Sequence, residues 1–470
     1  MPSLERGLKL FAAISIVVCT VIGTGIFLKA RVMTCNVETP EMVLLVWGVA
    51  AVAAICGALT YAELAAMMPE AGGEYIFLRE AYGPRWAFTY GWTQFSICYS
   101  ASQAAKAVAF AVFLNVILSG WLEQTYFSFN IAGHSIPFGR MQIIALVIVA
   151  LMTGINCFAV SISGSVASFL TVLKIALVIG IAFGALVFAK GNWSHFQLSN
   201  LGGACEGVSP SAMGGWAGFA AAMLGALWAY DGWSNLTILA GEVENPGKNI
   251  PRALIGGMLT IAVLYILVNV SYFYVLTPTE VAGVSQNSSV ATEVVLRFLG
   301  PIATALMAAG LMISTIGSLH TGILTGSRVP YAMARDRLFF HSLSKVSERS
   351  HVPVNALIAQ GIWICVLVLS GSFDTLTDYV IFAAWIFYSL NTASVFVFRK
   401  RRPEAERPYR TLGYPLVPIL FLIVAVWLIL TTIMTAPLRS MIGLAFIALG
   451  IPLYSYWNRR KEKQIEREIK

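Results

Sequence analysis

Apolar runs of about 20 residues, the length that crosses the hydrocarbon core of a bilayer, recur from one end of this 470-residue chain to the other. Inside lipid every backbone N–H and C=O must be bonded within the protein, so the runs read as helices. Charged or Pro/Gly-rich breaks separate twelve of them, at about 9–30, 42–67, 85–118, 141–160, 163–189, 213–240, 251–276, 300–333, 354–371, 376–398, 414–435 and 439–457. No intervening stretch is long enough for a separate soluble domain. Only 11% of the residues are charged, against about 25% in soluble domains. The expected fold is therefore an all-α integral membrane protein of twelve transmembrane helices in a single domain. The opening MPSLERGLKLFAAISIVVCTVIG has no small-residue cleavage site after its apolar part, so it reads as a retained span with the N-terminus as written.

Lys and Arg accumulate on the cytoplasmic side of membranes. With the N-terminus inside, 22 of the 31 fall in inner segments, six in outer loops and three inside spans. Both termini are thus expected in the cytoplasm, in a bacterial inner membrane. The basic runs FRKRRPEAERPYR and NRRKEKQIEREIK read as anchors that hold loops inside and touch anionic headgroups. The final run, 458–470, has few apolar residues to bind it to a surface. This distribution excludes a nucleic-acid interface. The seven Cys show no metal-ligand spacing. Cys35 and Cys205 fall in outer loops, where a pairing stays open. With no phosphate loop of the G-x-x-x-x-G-K-[ST] type and no nucleophile–base arrangement, neither an ATP-driven pump nor an enzyme is expected, and no cofactor.

Two spans are broken. The first contains VIGTGIF (Val21 to Phe27), with Gly23 and Gly25 around Thr24. Each interior Gly weakens a helix by about 1 kcal/mol relative to Ala. Backbone freed by unwinding is tolerated in a membrane where it lines a cavity. The sixth contains GALWAYDGWSNL (Gly225 to Leu236), with Asp231 beside Gly232. Close helix packing is the alternative use of such small residues. A matching pair of breaks five helices apart instead points to an inverted-repeat transporter, with repeats at 9–190 and 213–400, helices 11 and 12 at 411–457, and a basic tail at 458–470. Half-helix N-termini suit a carboxylate and freed carbonyls an ammonium. A zwitterion fits both.

VIGTGIF, the stretch YAELAAMMPEAGGEYIFLREAYGP, LWAYDGW followed by GEVENPGKNIPRA, and AAWIFYSLNTASVFVFRKRRPEAERPYR together resemble the amino acid–polyamine–organocation superfamily, and within it the L-amino-acid transporter branch. The resemblance runs through all twelve spans. It implies a leucine-transporter-like fold of two five-helix repeats plus two helices. It also implies that backbone at Thr24, Gly25 and Ile26 binds the substrate carboxylate, that the carbonyls of Val21, Ile22 and Trp228 take the ammonium, and that Trp228 gates the site. The loop Ser119 to Arg140 lacks the cysteine with which eukaryotic light chains link to a glycoprotein. No covalently linked heavy chain is expected, as in prokaryotic members.

Lys174, mid-way along the fifth span, is too costly to leave in bare lipid. The resemblance sets it where sodium-coupled relatives hold a cation between spans 1, 5 and 8, implying a sodium-substituting ammonium. Asp231 either complements a cationic substrate or is satisfied by an internal cation or backbone N–H groups, the second being preferred because it sits at a broken helix. Lys106 and Arg328 read as lining water or a vestibule, and His320 as a packed or hydrogen-bonded histidine. Together these features imply a sodium-independent exchanger of L-amino acids, neutral ones by preference. Proton-coupled symport, cationic amino acid or polyamine antiport and a non-transporting sensor are the rival readings.

Overall fold

The computed structural model describes residues 4–131, 134–285, 288–370, 373–435 and 437–469; Lys470 of the basic tail lies outside them. Each of the twelve apolar runs falls on helix. Span 1 is two half-helices, 1a (Leu10–Val21) and 1b (Gly25–Val37), bent by 42°. Span 6 is likewise 6a (Gly215–Ala229) and a short 6b (Asn235–Ile238). The unbroken spans are 2 (Pro40–Met67), 3 (Pro84–Ile117), 4 (Arg140–Asn156), 5 (Val160–Phe188), 7 (Pro246–Val275), 8 (Ile302–Arg335), 9 (Val354–Ser370), 10 (Phe373–Arg401), 11 (Leu416–Thr435) and 12 (Pro437–Ile469). Spans 2, 3, 7 and 12 begin on proline, whose fixed φ suits the first helical position and whose missing N–H would be unpaired there anyway. At span 2 the Thr39 hydroxyl also accepts the Met42 N–H.

Three features depart from the sequence reading. The loop between spans 3 and 4 folds into an antiparallel hairpin, Thr125–Ile131 with His134–Gly139. The final basic run is not a separate tail, since span 12 continues as one helix to Ile469. The open pairing is closed: Cys35 and Cys205 form a disulfide with Cα atoms 5.7 Å apart, tying the end of half-helix 1b to the loop before span 6.

Spans 11 and 12 lie outermost, with 22% and 17% of their apolar windows buried, against 44–56% for spans 2, 3, 5, 7 and 8. Inside, span 1 packs on spans 5, 7 and 8, and span 7 on span 2. One face of the bundle, opposite the disulfide, carries a set of ion pairs that joins distant spans. Glu63 at the end of span 2 meets Arg399 (2.7 Å) and Arg407 (3.3 Å). Arg79, before span 3, meets Asp336 after span 8 (2.9 Å), and Glu80 meets Arg402 (2.7 Å). Leu8 pairs in parallel with Val243, bringing the N-terminal segment beside the connection that follows span 6. Next to it Glu242 and Arg328 form a two-pronged pair, Nε to Oε1 and Nη2 to Oε2 both at 2.8 Å, with neither side chain exposed. Arg328 thus lines no vestibule, contrary to the sequence reading. A buried carboxylate captures it, and it also donates to the Leu324 carbonyl (2.8 Å) and the Ser327 hydroxyl (3.0 Å).

Removing one member of a buried pair strands the other charge, which costs about 3–5 kcal/mol. Glu242→Gln should therefore lower the thermal denaturation midpoint of the detergent-solubilised protein markedly. The double change Glu242→Gln with Arg328→Met should recover most of the loss, as fluorescence-monitored melting would report.

Candidate functional site

Half-helix 1a ends at Val21 and 1b starts at Gly25, so the backbone from Ile22 to Thr24 is free of the helical ladder. The first contacts of 1b are Phe27 N–H (3.1 Å) and Leu28 N–H (3.2 Å) to the Thr24 carbonyl. The amides of Thr24, Gly25 and Ile26 precede them, where a helix N-terminus has donors without intrahelical acceptors. The Ile26 side chain is fully buried, so it can offer the site only its backbone. In span 6 the helix stops at Ala229, and Gly232 turns with φ +101° against Thr20. A Cβ there would sit 2.8 Å from the Thr20 methyl. At Gly25 a Cβ would sit 2.8 Å from the Ala229 Cβ, so the two breaks meet because neither glycine carries a side chain.

Between them opens a cavity of about 430 Å³, lined by Thr20, Val21, Gly23, Thr24 and Gly25 of span 1, Ser102, Ala105, Lys106 and Ala109 of span 3, Trp228, Ala229 and Asp231 of span 6, and Thr315 and Ser318 of span 8. Trp228 stands at its edge with the Lys29 ammonium 4.8 Å above the ring.

The carbonyls are less open than the sequence reading expects. That of Ile22 accepts the Lys174 ammonium (2.7 Å) and the Ser314 hydroxyl (3.1 Å), so a second ammonium there would meet the Lys174 charge. That of Val21 accepts the Gly23 N–H (2.7 Å) and the Tyr265 hydroxyl (3.1 Å), and that of Trp228 the Asp231 N–H (3.1 Å). Tyr265 also reaches the Ala229 carbonyl at 3.0 Å, so one hydroxyl links the two broken spans.

Lys174 is completely buried. Its ammonium donates to the Cys19 carbonyl (2.6 Å), the Ile22 carbonyl (2.7 Å) and the Ser318 hydroxyl (2.8 Å), joining spans 5, 1 and 8. Space for its stem exists because residue 317 is glycine; a Cβ there would lie 2.7 Å from Lys174 Cε.

The amino acid permease family matches residues 8–454 of this sequence. The chain belongs to that family. Among its relatives is the b(0,+)-type amino acid transporter 1 of Mus musculus, 31% identical over 99% of this chain and 92% of the mouse protein. The serine/threonine exchanger SteT of Bacillus subtilis (strain 168) is 30% identical over 97% and 98%. The human cystine/glutamate transporter is 28% identical over 96% and 85%. The permease is accordingly a multi-pass membrane protein of the L-amino-acid transporter type, and it transports amino acids.

In this permease Asp231 opens on the cavity while its Oδ1 accepts the Tyr388 hydroxyl of span 10 at 2.8 Å. Lys106 lines the same cavity, its ammonium 3.3 Å from Gln103 Oε1. His320 is packed as expected, with Nε2 3.0 Å from the Ser163 carbonyl and Nδ1 3.3 Å from Asn156. Sequence reasoning missed Tyr265, Tyr388 and Gly317, since a tyrosine or glycine in an apolar helix carries no partner in its local pattern. It also missed a π-helical turn at Gln94–Cys98 of span 3, next to the cavity. Such turns leave no compositional mark.

Because Gly25 touches Ala229, even a methyl group should force the half-helices apart, at an overpacking cost of about 1–3 kcal/mol. Gly25→Ala is expected to weaken amino acid binding by roughly tenfold and to lower the melting temperature modestly, with expression retained. Isothermal titration of the purified variant would check both.

Proposed function

We propose that this permease is a sodium-independent exchanger of neutral L-amino acids in the cell membrane, with both termini cytoplasmic and no covalently linked heavy chain. The two five-helix repeats, 9–190 and 213–400, alternate access around the cavity between the breaks. The substrate carboxylate meets the amides of Thr24, Gly25 and Ile26, at the positive end of half-helix 1b. Its ammonium meets the carbonyls of Val21 and Trp228, and the Trp228 ring closes over it.

Lys174 carries this reading. Three oxygens at 2.6–2.8 Å converge on its ammonium, a donor set that would suit a hard monovalent cation. A covalently attached charge there leaves nothing for sodium to do. The likeness to a protein named a serine/threonine exchanger supports exchange and a neutral substrate. The orientation rests on the Lys and Arg bias, 22 of 31 falling in the inner segments, Arg79, Arg399 and Arg402 among them. A cationic substrate is the second reading, favoured by the open Asp231 carboxylate. Lys106, on the same cavity wall, offsets that charge.

Exchange of labelled amino acid in proteoliposomes tests these points together. Wild type should give equal rates in sodium and choline media, with strong stimulation by internal amino acid. Lys174→Ala leaves buried oxygens without a donor and should slow exchange by roughly tenfold or more, with partial recovery in sodium. A sodium requirement in wild type would refute the substitution. Lys106→Met leaves Asp231 as the uncompensated charge of the cavity, and arginine uptake relative to serine should rise by about fivefold or more. An unchanged ratio would separate Lys106 from charge selection.

A further inference from the structure

A second cavity, of about 490 Å³, lies on the basic face between the end of span 12 and the connection that follows span 8. Its walls carry Arg337 from that connection and Arg460, Lys461, Lys463 and Arg467 from the helix, and among the described residues no carboxylate lines it. Helical spacing explains the selection. At 3.6 residues per turn, positions 460, 461, 463, 464 and 467 share one side, whereas Glu462 and Glu466 point away. The four helix cations therefore share the side of span 12 that borders the cleft, a charge arrangement complementary to an anion.

The floor of the cleft is aromatic. Trp457 packs 5.6 Å from Phe339 and 5.0 Å from Phe340. Directly before this point span 12 is apolar and outward-facing, with Leu444, Leu449 and Tyr456 each about half exposed. The cleft thus sits where the sequence changes from LGIPLYSYW to NRRKEKQIER, at the level that aromatic side chains occupy in a bilayer interface.

We propose that this cleft binds the headgroup of an anionic phospholipid, the phosphodiester held by Arg460, Lys463 and Arg467 and the acyl chains lying along the exposed flank of span 12. A free phosphate would satisfy the cations but leave the apolar flank unused. The flank is what identifies a lipid as the occupant. This inference does not depend on which amino acid is carried.

The test uses the full-length protein, delipidated in detergent, with phosphatidylglycerol or phosphatidylcholine added back and bound lipid counted by native mass spectrometry. Phosphatidylglycerol should bind in preference, and each of Arg460→Gln, Lys463→Gln and Arg467→Gln should weaken it by roughly fivefold. Arg459→Gln, which removes an equal charge from a residue that does not line the cleft, should leave binding as in wild type. Melting curves establish that the variants are folded, and the single changes give the result if the triple variant does not fold. Equal binding of the two lipids, undiminished binding in the three variants, or full displacement of phosphatidylglycerol by inorganic phosphate would each overturn the proposal.

Discussion

The Lys174 ammonium is the contact on which the rest of the site depends. A helix broken in mid-membrane exposes carbonyls that nothing in lipid can satisfy. Here the carbonyls of Cys19 and Ile22 end against a buried cation supplied by span 5, and Ser318 of span 8 completes its coordination. An isolated ammonium would be equally untenable in the interior. Each defect resolves the other. The Ile22 carbonyl, which by position alone belongs with the ligand groups, is engaged in doing so. The amides of the next three residues remain for a ligand.

The other half of the break is managed by neutral donors. Tyr265 spans the Val21 and Ala229 carbonyls, and the Thr20 hydroxyl meets that of Thr321 at 3.0 Å. On the side of the cavity nearer the basic face, Tyr99 donates to Asn235 at 2.6 Å and Gln360 to Ser100 at 2.8 Å. Beyond these lie the Glu242–Arg328 and Arg79–Asp336 pairs. Apart from Thr20 and Val21 at the end of half-helix 1a, the lining residues of spans 1, 3, 6 and 8 instead lie at the breaks or in the halves that run toward the disulfide. The cavity is thus sealed by successive polar layers on one side and bordered by Trp228 on the other.

What the sequence made legible follows from range. Apolar runs and glycine breaks are local patterns, so the twelve spans, both interruptions and the need for Lys174 to find protein partners could be read directly. Arg328 could not. Its burial with Glu242 is decided by a residue 86 positions earlier, and a lone arginine late in a helix looks the same whether it meets water or a carboxylate. Gly317 reads as one more small residue until the Lys174 stem is seen against it. The Cys35–Cys205 bond spans 170 positions, and only the fold could choose it. The motif charges of the sequence, Glu63, Glu80, Glu242, Arg399 and Arg402, turn out to hold the basic face together, away from the cavity.

Spans 1 and 6 are tied to each other at three levels. On the basic face Leu8 pairs with Val243; at the breaks Tyr265 bridges the two, and Gly232 admits Thr20. On the far face the Gly214 N–H meets the Asn36 carbonyl at 2.8 Å, the Asn36 amide meets the Ala212 carbonyl at 2.6 Å, and the disulfide fixes Cys35 to the preceding loop. Any opening that keeps these bonds must carry the two broken spans as a unit, along with span 7, which supplies Tyr265. The cavity lies between this unit and spans 3 and 8. Lys174 reaches this unit from span 5 with hydrogen bonds that a small rotation can lengthen, unlike the covalent tie at Cys35. A single buried charge can thus hold the broken helix in register against spans 5 and 8 through hydrogen bonds alone.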